Sequence, residues 1–355
     1  MSLPDLLTEK RLVICCGSGG VGKTTTSAAL AIQGATLGRK ALVLTIDPAH
    51  RLADALGISS LDHRPRRLPE AIYRRRGRHA GGTLDAMVLD AKATLDDLVH
   101  RHAPSPAARE AILANPIYRY GSRALIESPE YLAMEKLNAL EAEGSWDLLV
   151  IDTPPTRRAL DFFSASRRMV EFLERNRFLA MMTPSGRRGL TGQRILGLGL
   201  TALMKLMSRV TGSELLGAAR EFFTAFEGML EGFRSRAARM EALLRSETSA
   251  AVIVTTPEPR ALLEARLLYA KFVEEGIPFS DMIVNRVAID PLIGRGGQAA
   301  DRSAPASLES LAGSIPGLTK EGRARAAAMV DNYLLYRALA ERDREALTGL
   351  LDLGI

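Results

Sequence analysis

The sequence predicts an α/β protein: a mostly parallel sheet flanked by helices, with an all-helical insert. Short apolar runs recur at 12–16, 41–44, 86–89, 148–151, 251–254 and 282–284. Runs of this kind suit buried parallel strands. Between them lie stretches of helical composition, such as 25–37 and 129–143. Such alternation argues for helices on both faces of one sheet. Residues 164–246 break the alternation and read as helices throughout. We read the 355 residues as a single domain, 1–355, with 164–246 inserted as a helical subdomain.

The first strand leads into CCGSGGVGKTTT at 15–26. Gly17, four residues, then Gly22-Lys23-Thr24 satisfies the P-loop spacing. The context agrees, because an apolar strand precedes the loop and an Ala- and Leu-rich helix follows it. Glycines let backbone N–H groups approach an anion closely, and the helix N-terminus adds a favourable dipole. Gly19, Gly20, Val21, Gly22, Lys23, Thr24 and Thr25 are therefore the expected nucleotide-binding residues. Lys23 would reach the β- and γ-phosphates of ATP, and the Thr24 hydroxyl would ligate Mg²⁺. The fold class is thus expected to be a P-loop NTPase.

Two strand ends carry acids. The second strand runs into Thr45-Ile46-Asp47-Pro48-Ala49-His50, and the 148–151 strand into Asp152-Thr153-Pro154-Pro155-Thr156. Ligands of open α/β sheets bind at the carboxyl ends of strands. Asp152 fits the Mg²⁺-holding role, and Asp47 could orient or activate the attacking water as the catalytic residue. An aspartate after a strand also serves as a helix cap, and the P-loop upstream favours the site reading.

Composition excludes several classes. The two cysteines, Cys15 and Cys16, are neighbours on one strand, point to opposite faces and suit buried packing rather than a disulfide. No Cys–X–X–Cys pair is present, so no zinc site is expected. The N-terminus MSLPDLLTEK lacks the apolar core of a signal peptide, and the apolar window at 195–204 is too short to span a bilayer. A cytoplasmic protein is expected. Residues 290–306, with Gly294, Gly296 and Gly297, read as an irregular loop.

Gly-Gly-Val-Gly-Lys-Thr-Thr at 19–25, Asp-Pro-Ala-His at 47–50 and Asp-Thr-Pro-Pro-Thr at 152–156 resemble the ArsA branch of the deviant Walker A ATPases. That branch includes the bacterial arsenite-pump ATPase and the eukaryotic ATPase that delivers tail-anchored membrane proteins. The stretches 130–137 and 156–162 look like those of the bacterial ArsA-like proteins labelled anion-transporting ATPases. The resemblance covers about residues 10–290. It implies that Lys23 carries the phosphates, that Asp47 positions water, and that the loops led by Asp47 and Asp152 act as switches I and II. It also implies that Asn285 binds adenine, that Pro257 and Glu258 lie near the nucleotide or dimer face, and that the protein is a homodimer.

The departures are specific. The deviant motif reads Gly-Lys-Gly-Gly, whereas here Ser18 stands in place of the lysine that reaches the partner's nucleotide. A serine cannot supply that charge. Switch II continues Gly-His-Thr in better-known members and Arg157-Arg158-Ala159 here. The cysteines for arsenite and for zinc are missing, so neither site is expected. Near the C-terminus, where the family usually has a further strand, a long helical stretch at 321–351 is expected.

The insert holds seven of the twelve methionines: Met169, Met181, Met182, Met204, Met207, Met229 and Met240. Between 157 and 248, sixteen Arg or Lys stand against nine Asp or Glu, so this region holds the positive excess of the chain. Methionine-bearing amphipathic helices can form an adaptable groove for an apolar or transmembrane helix. They can equally fill a helical core, with the arginines solvated. Three function classes follow: an ATPase handling an apolar polypeptide, a ParA- or MinD-like positioning ATPase with a basic DNA- or membrane-binding surface, and a low-turnover nucleotide-dependent scaffold. The insert favours the first, and a nucleic-acid partner is not expected.

Overall fold

The computed structural model describes residues 3–47, 51–74, 81–116, 118, 129–155, 159, 161–165, 167–168, 171, 229, 231–290 and 319–351. Seven strands form one sheet in the order β3-β4-β2-β5-β1-β6-β7. They are β1 (Leu12–Cys16), β2 (Lys40–Thr45), β3 (Arg66–Arg67), β4 (Thr83–Val88), β5 (Leu148–Asp152), β6 (Ser249–Thr255) and β7 (Phe279–Val284). All pairs are parallel except β3 with β4. The mostly parallel α/β fold read from the sequence is the fold observed. The two-residue edge strand β3 is exposed and carries no apolar run, so the sequence held no signal for it.

Period-two alternation divides the core. Leu12, Ile14 and Cys16 pack with Leu42, Leu44 and Ile151 on one face, while Val13 and Cys15 pack with Ala41, Val43 and Val150 on the other. The two thiols are free and buried, one on each side of the sheet. Burial pushes the Cys16 thiol up to about 12 and raises that of Cys15 as well, as expected where the thiolate would be stripped of water.

Helices α1 (Leu3–Glu9), α2 (Lys23–Thr36), α3 (Arg51–Leu56), α4 (Ala91–His102), α5 (Pro106–Ala114), α6 (Pro129–Glu143), α7 (Pro259–Glu275) and α8 (Lys320–Leu351) complete the frame. Two of the starts follow side-chain capping chemistry: at α4, Asp90 accepts from the Ala93 N–H, and at α5, Ser105 accepts from the Ala108 N–H. Helix α6 is buried nearly all round, which explains its weak amphipathic pattern. Glu130, Glu135, Lys136 and Asn138 are all buried on it, among apolar neighbours.

Of the insert, most of 164–246 lies outside the described residues, including Met169, Met181, Met182, Met204 and Met207. Its returning segment is helical over 231–244 and leads into β6. The two described methionines, Met229 and Met240, are 1 % and 2 % exposed in the main core, so these two fill core. The loop expected at 290–306 lies, after Asp290, outside the described residues. The long helix α8 ends against α7, where Arg266 donates to the Gly349 carbonyl at 2.8 Å. Among the described residues, no helix is long and apolar enough to cross a membrane.

Candidate functional site

Register places the site. Strand β5 lies between β2 and β1, and its last residue, Asp152, pairs with Thr45 on one side and Cys15 on the other. The P-loop leaves β1 one residue later, between β5 and β6. Strand order therefore changes direction beside the loop, where a crevice forms at the strand ends.

Two glycines in the loop are sterically required. Gly17 has φ 152°, and a Cβ there would lie 2.0 Å from the Val254 carbonyl oxygen. Gly22, with φ 96°, caps helix α2, and a Cβ there would lie 2.3 Å from Asn285 Nδ2. The loop is thus pressed against the ends of β6 and β7, which only residues without a Cβ permit. Gly19, Gly20 and Thr25 are exposed at the mouth, and Val21 is buried with Val254 and Ala261.

Lys23 starts α2 and is only 7 % exposed. Its ammonium donates to the Ser18 carbonyl at 2.8 Å, closing the loop on itself. Burial lowers its pKa, and Asp152, Cys16 and Asp47 oppose that shift. Asp152 is 1 % exposed. Its Oδ2 accepts from the Thr24 hydroxyl and from the Thr45 hydroxyl, each at 2.8 Å. Its Oδ1 is buried without a partner among the described residues. Burial raises the Asp152 pKa, while the two hydroxyls and Lys23 pull it back. The cation and the carboxylate are thus each pushed toward the neutral form, the expected result for charges removed from water without full compensation. Lys23, Thr24 and Asp152, named separately from sequence, converge at one place.

Asp47 stands just past β2. Its N–H donates to Thr45 Oγ1 at 3.3 Å, and its Oδ2 accepts from Arg51 Nη1 at 3.2 Å. Residues 48–50 and 156–158 lie outside the described residues. Thr153 donates from Oγ1 to the Cys15 carbonyl at 2.8 Å, which ties the loop after β5 to the start of the P-loop. Asn285, after β7, donates from Nδ2 to the Val21 carbonyl at 2.9 Å and accepts at Oδ1 from the Arg286 N–H at 2.9 Å. It buttresses the P-loop and retains one amide N–H for another acceptor. Pro257 is buried past the end of β6.

Sequence reasoning overlooked Thr45 and Arg51. Thr45 was legible in principle, as a hydroxyl at the last position of an otherwise apolar strand. Its bond to Asp152 depends on β2 and β5 being neighbours, which no local pattern encodes. The residues around Asp152 suit a hard divalent cation: a hydroxyl and a carboxylate with one oxygen unpartnered among the described residues, beside the glycine loop.

The sheet order and the glycine loop define the chain as a P-loop α/β protein. More particularly, it belongs to the anion-transporting ATPase family, whose model matches residues 10–293. The chain is 25% identical over 290 residues to a protein of Aquifex aeolicus (strain VF5) provisionally named arsenical pump-driving ATPase 1, covering 80% of this chain and 65% of that protein. It is 25% identical over 309 residues to ATPase GET3B of Arabidopsis thaliana, covering 79% and 65%. It is 24% identical over 295 residues to ATPase GET3 of Malassezia globosa, covering 82% and 77%. The chain thus spans 65% of the length of the first two of these relatives.

Proposed function

We propose that the protein binds Mg-ATP at the P-loop and hydrolyses its terminal phosphate. The observation that carries this reading is the junction of Thr24, Thr45, Lys23 and Asp152. Two hydroxyls hold one oxygen of a buried carboxylate whose other oxygen has no partner among the described residues, beside a buried ammonium. Thr24 and Asp152 would hold Mg²⁺, which when bound would polarise the phosphoryl oxygens and offset their charge. Lys23 would exchange the Ser18 carbonyl for phosphate oxygens. Gly19, Gly20, Val21, Gly22 and Thr25 would line the phosphates with backbone N–H groups. Asp47, exposed enough to meet water and oriented by Arg51, would position the attacking water. Asn285 and Pro257 would border the base.

Membership of the family and the names of the relatives support ATP as substrate. The resemblance supports a homodimer acting in the cytoplasm, with Ser18 removing the lysine-mediated contact to the partner's nucleotide. Residues 164–246 would form the subdomain that the nucleotide cycle controls, with an apolar helix as client. In support of that coupling, the Ala159 N–H donates to the Pro155 carbonyl at 3.3 Å. Ala159 and residues 161–165 are helical, a few positions after the loop that follows Asp152.

The test is a pair of variants. Lys23→Ala is expected to weaken Mg-ATP binding by about tenfold or more in calorimetry, the scale of one charge-assisted bond. Asp47→Asn is expected to retain binding while turnover falls by about 10²-fold. Unchanged affinity in the first variant overturns the P-loop assignment. Near-normal turnover in the second removes Asp47 from the chemistry.

A further inference from the structure

A second charged cleft lies away from the P-loop, where α4, α6 and the helical residues 231–244 meet. It encloses about 230 Å³. Helix α4 contributes Asp97, Arg101 and His102, α6 contributes Glu135 and Lys136, and 231–244 contributes Arg236 and Arg239. Four basic side chains, three of them arginines, thus line it against two carboxylates.

Those carboxylates are largely committed. Glu135 accepts from the Tyr131 hydroxyl at 2.6 Å with one oxygen and from Arg236 Nε at 2.7 Å with the other. Asp97 is divided between Arg101 at 3.7 Å and Lys136 at 4.0 Å. Arg239 has no ion pair among the described residues. Arg236 is 5 % exposed, its guanidinium lies 4.7 Å over the Phe233 ring, and its Nη2 is buried with no partner among the described residues. A guanidinium nitrogen left bare inside a protein is costly, and native structures seldom leave one without a purpose.

We propose that this cleft binds a small oxyanion, a phosphate- or carboxylate-bearing molecule, held by Arg101, Arg236 and Arg239. Planar guanidinium groups match such oxygens in paired fashion. The volume sets the size, because ligand pockets for larger molecules run to about 300–1,000 Å³. The cleft suits phosphate or a short dicarboxylate rather than a nucleotide. The field in the cleft agrees, since burial and then Arg236, Arg101 and Arg239 lower the His102 pKa, and burial lowers that of Lys136. A bound oxyanion would relieve both. It would also clamp the returning segment of the insert to α4 and α6, so ligand and insert would be linked.

The experiment uses the full chain carrying Lys23→Ala, which weakens the P-loop as a competing anion site. Inorganic phosphate and, separately, malonate are titrated at constant ionic strength, followed by calorimetry and by the His102 imidazole resonances. Saturable binding with a His102 shift is expected, and Arg101→Ala/Arg239→Ala should weaken it by about tenfold or more. Both arginines are exposed, so the fold should tolerate their loss. The His102 readout is taken with both arginines in place and tests the cleft even if the double variant does not fold. Response to phosphate alone assigns a phosphate group, and response to both anions assigns a general oxyanion. No saturable binding of either anion, or equal binding in the double variant, overturns the proposal.

Discussion

Two buried sites in this molecule each hold a charged group with one atom that has no partner among the described residues, and they were built in opposite ways. At the P-loop the charge is Asp152, carried on the last residue of a central strand and surrounded by backbone and hydroxyls. At the α4–α6 cleft it is Arg236, carried on a helix and surrounded by other side chains. The first site is fixed by strand register and by two glycines that admit no other residue. The second is fixed by one salt bridge between the insert and α6, 2.7 Å long, with both partners at 6 % exposure or less. A site made by backbone is rigid and announces itself as a motif. A site made by side chains on three separate helices can shift with any of them and leaves no local signature.

The largest expected effect would come from the backbone site. Gly17→Ala forces a Cβ into the Val254 carbonyl in a buried strand, and should destabilise the fold by about 5 kcal/mol, among the largest values seen for one residue. Denaturant unfolding checks this, and a loss under about 1 kcal/mol would show that the loop can move away from β6.

The next effect would come from the side-chain site. Arg236→Met leaves Glu135 as an uncompensated buried charge and should cost about 3 kcal/mol, while Arg236→Met/Glu135→Leu should recover most of it. If the double variant is no better than the single one, packing of Arg236 on Phe233 dominates and the ion pair is secondary.

The smallest effect would be a pH dependence belonging to the cleft alone. His102 is pushed below the ordinary histidine value of 6.5 by burial and by three arginines, with Glu135 and Lys136 facing the same space from α6. The folded state therefore holds the neutral imidazole more strongly than the unfolded state does. The resulting stability is present above pH 6.5 and fades as the pH falls through the lowered value. His102→Gln should flatten that shallow decline in a thermal-unfolding series. An unchanged slope would move its origin to another group, and phosphate in the cleft should flatten it too.

Much of the first site was legible in the sequence. Glycine spacing, Lys23, Thr24 and the two strand-end aspartates are local features, because phosphate binding draws on one strand, one turn and one helix N-terminus that are contiguous in the chain. The sheet itself was legible because strands buried on both faces must be apolar throughout. Helix α6 was placed at 129–143 from composition, and the structure has it at Pro129–Glu143. Thr45 was not named, because its role depends on which strands are neighbours. The cleft was not seen at all. Arg101, Glu135 and Arg236 stand far apart in the chain, and each alone reads as an ordinary charge on a helix.

The sequence by itself determined the fold class and the family, and it pointed to the strand ends where phosphate chemistry is proposed, since all three rest on short-range patterns. Only the tertiary structure decided that Asp152 is held at one oxygen by Thr24 of α2 and Thr45 of β2 while the other has no partner among the described residues, that Asn285 props the P-loop, and that Arg236 is buried against Glu135. Those facts are contacts between segments remote in the chain. They follow from strand order and helix docking, which the sum of burial over the whole molecule selects and no single stretch of sequence encodes.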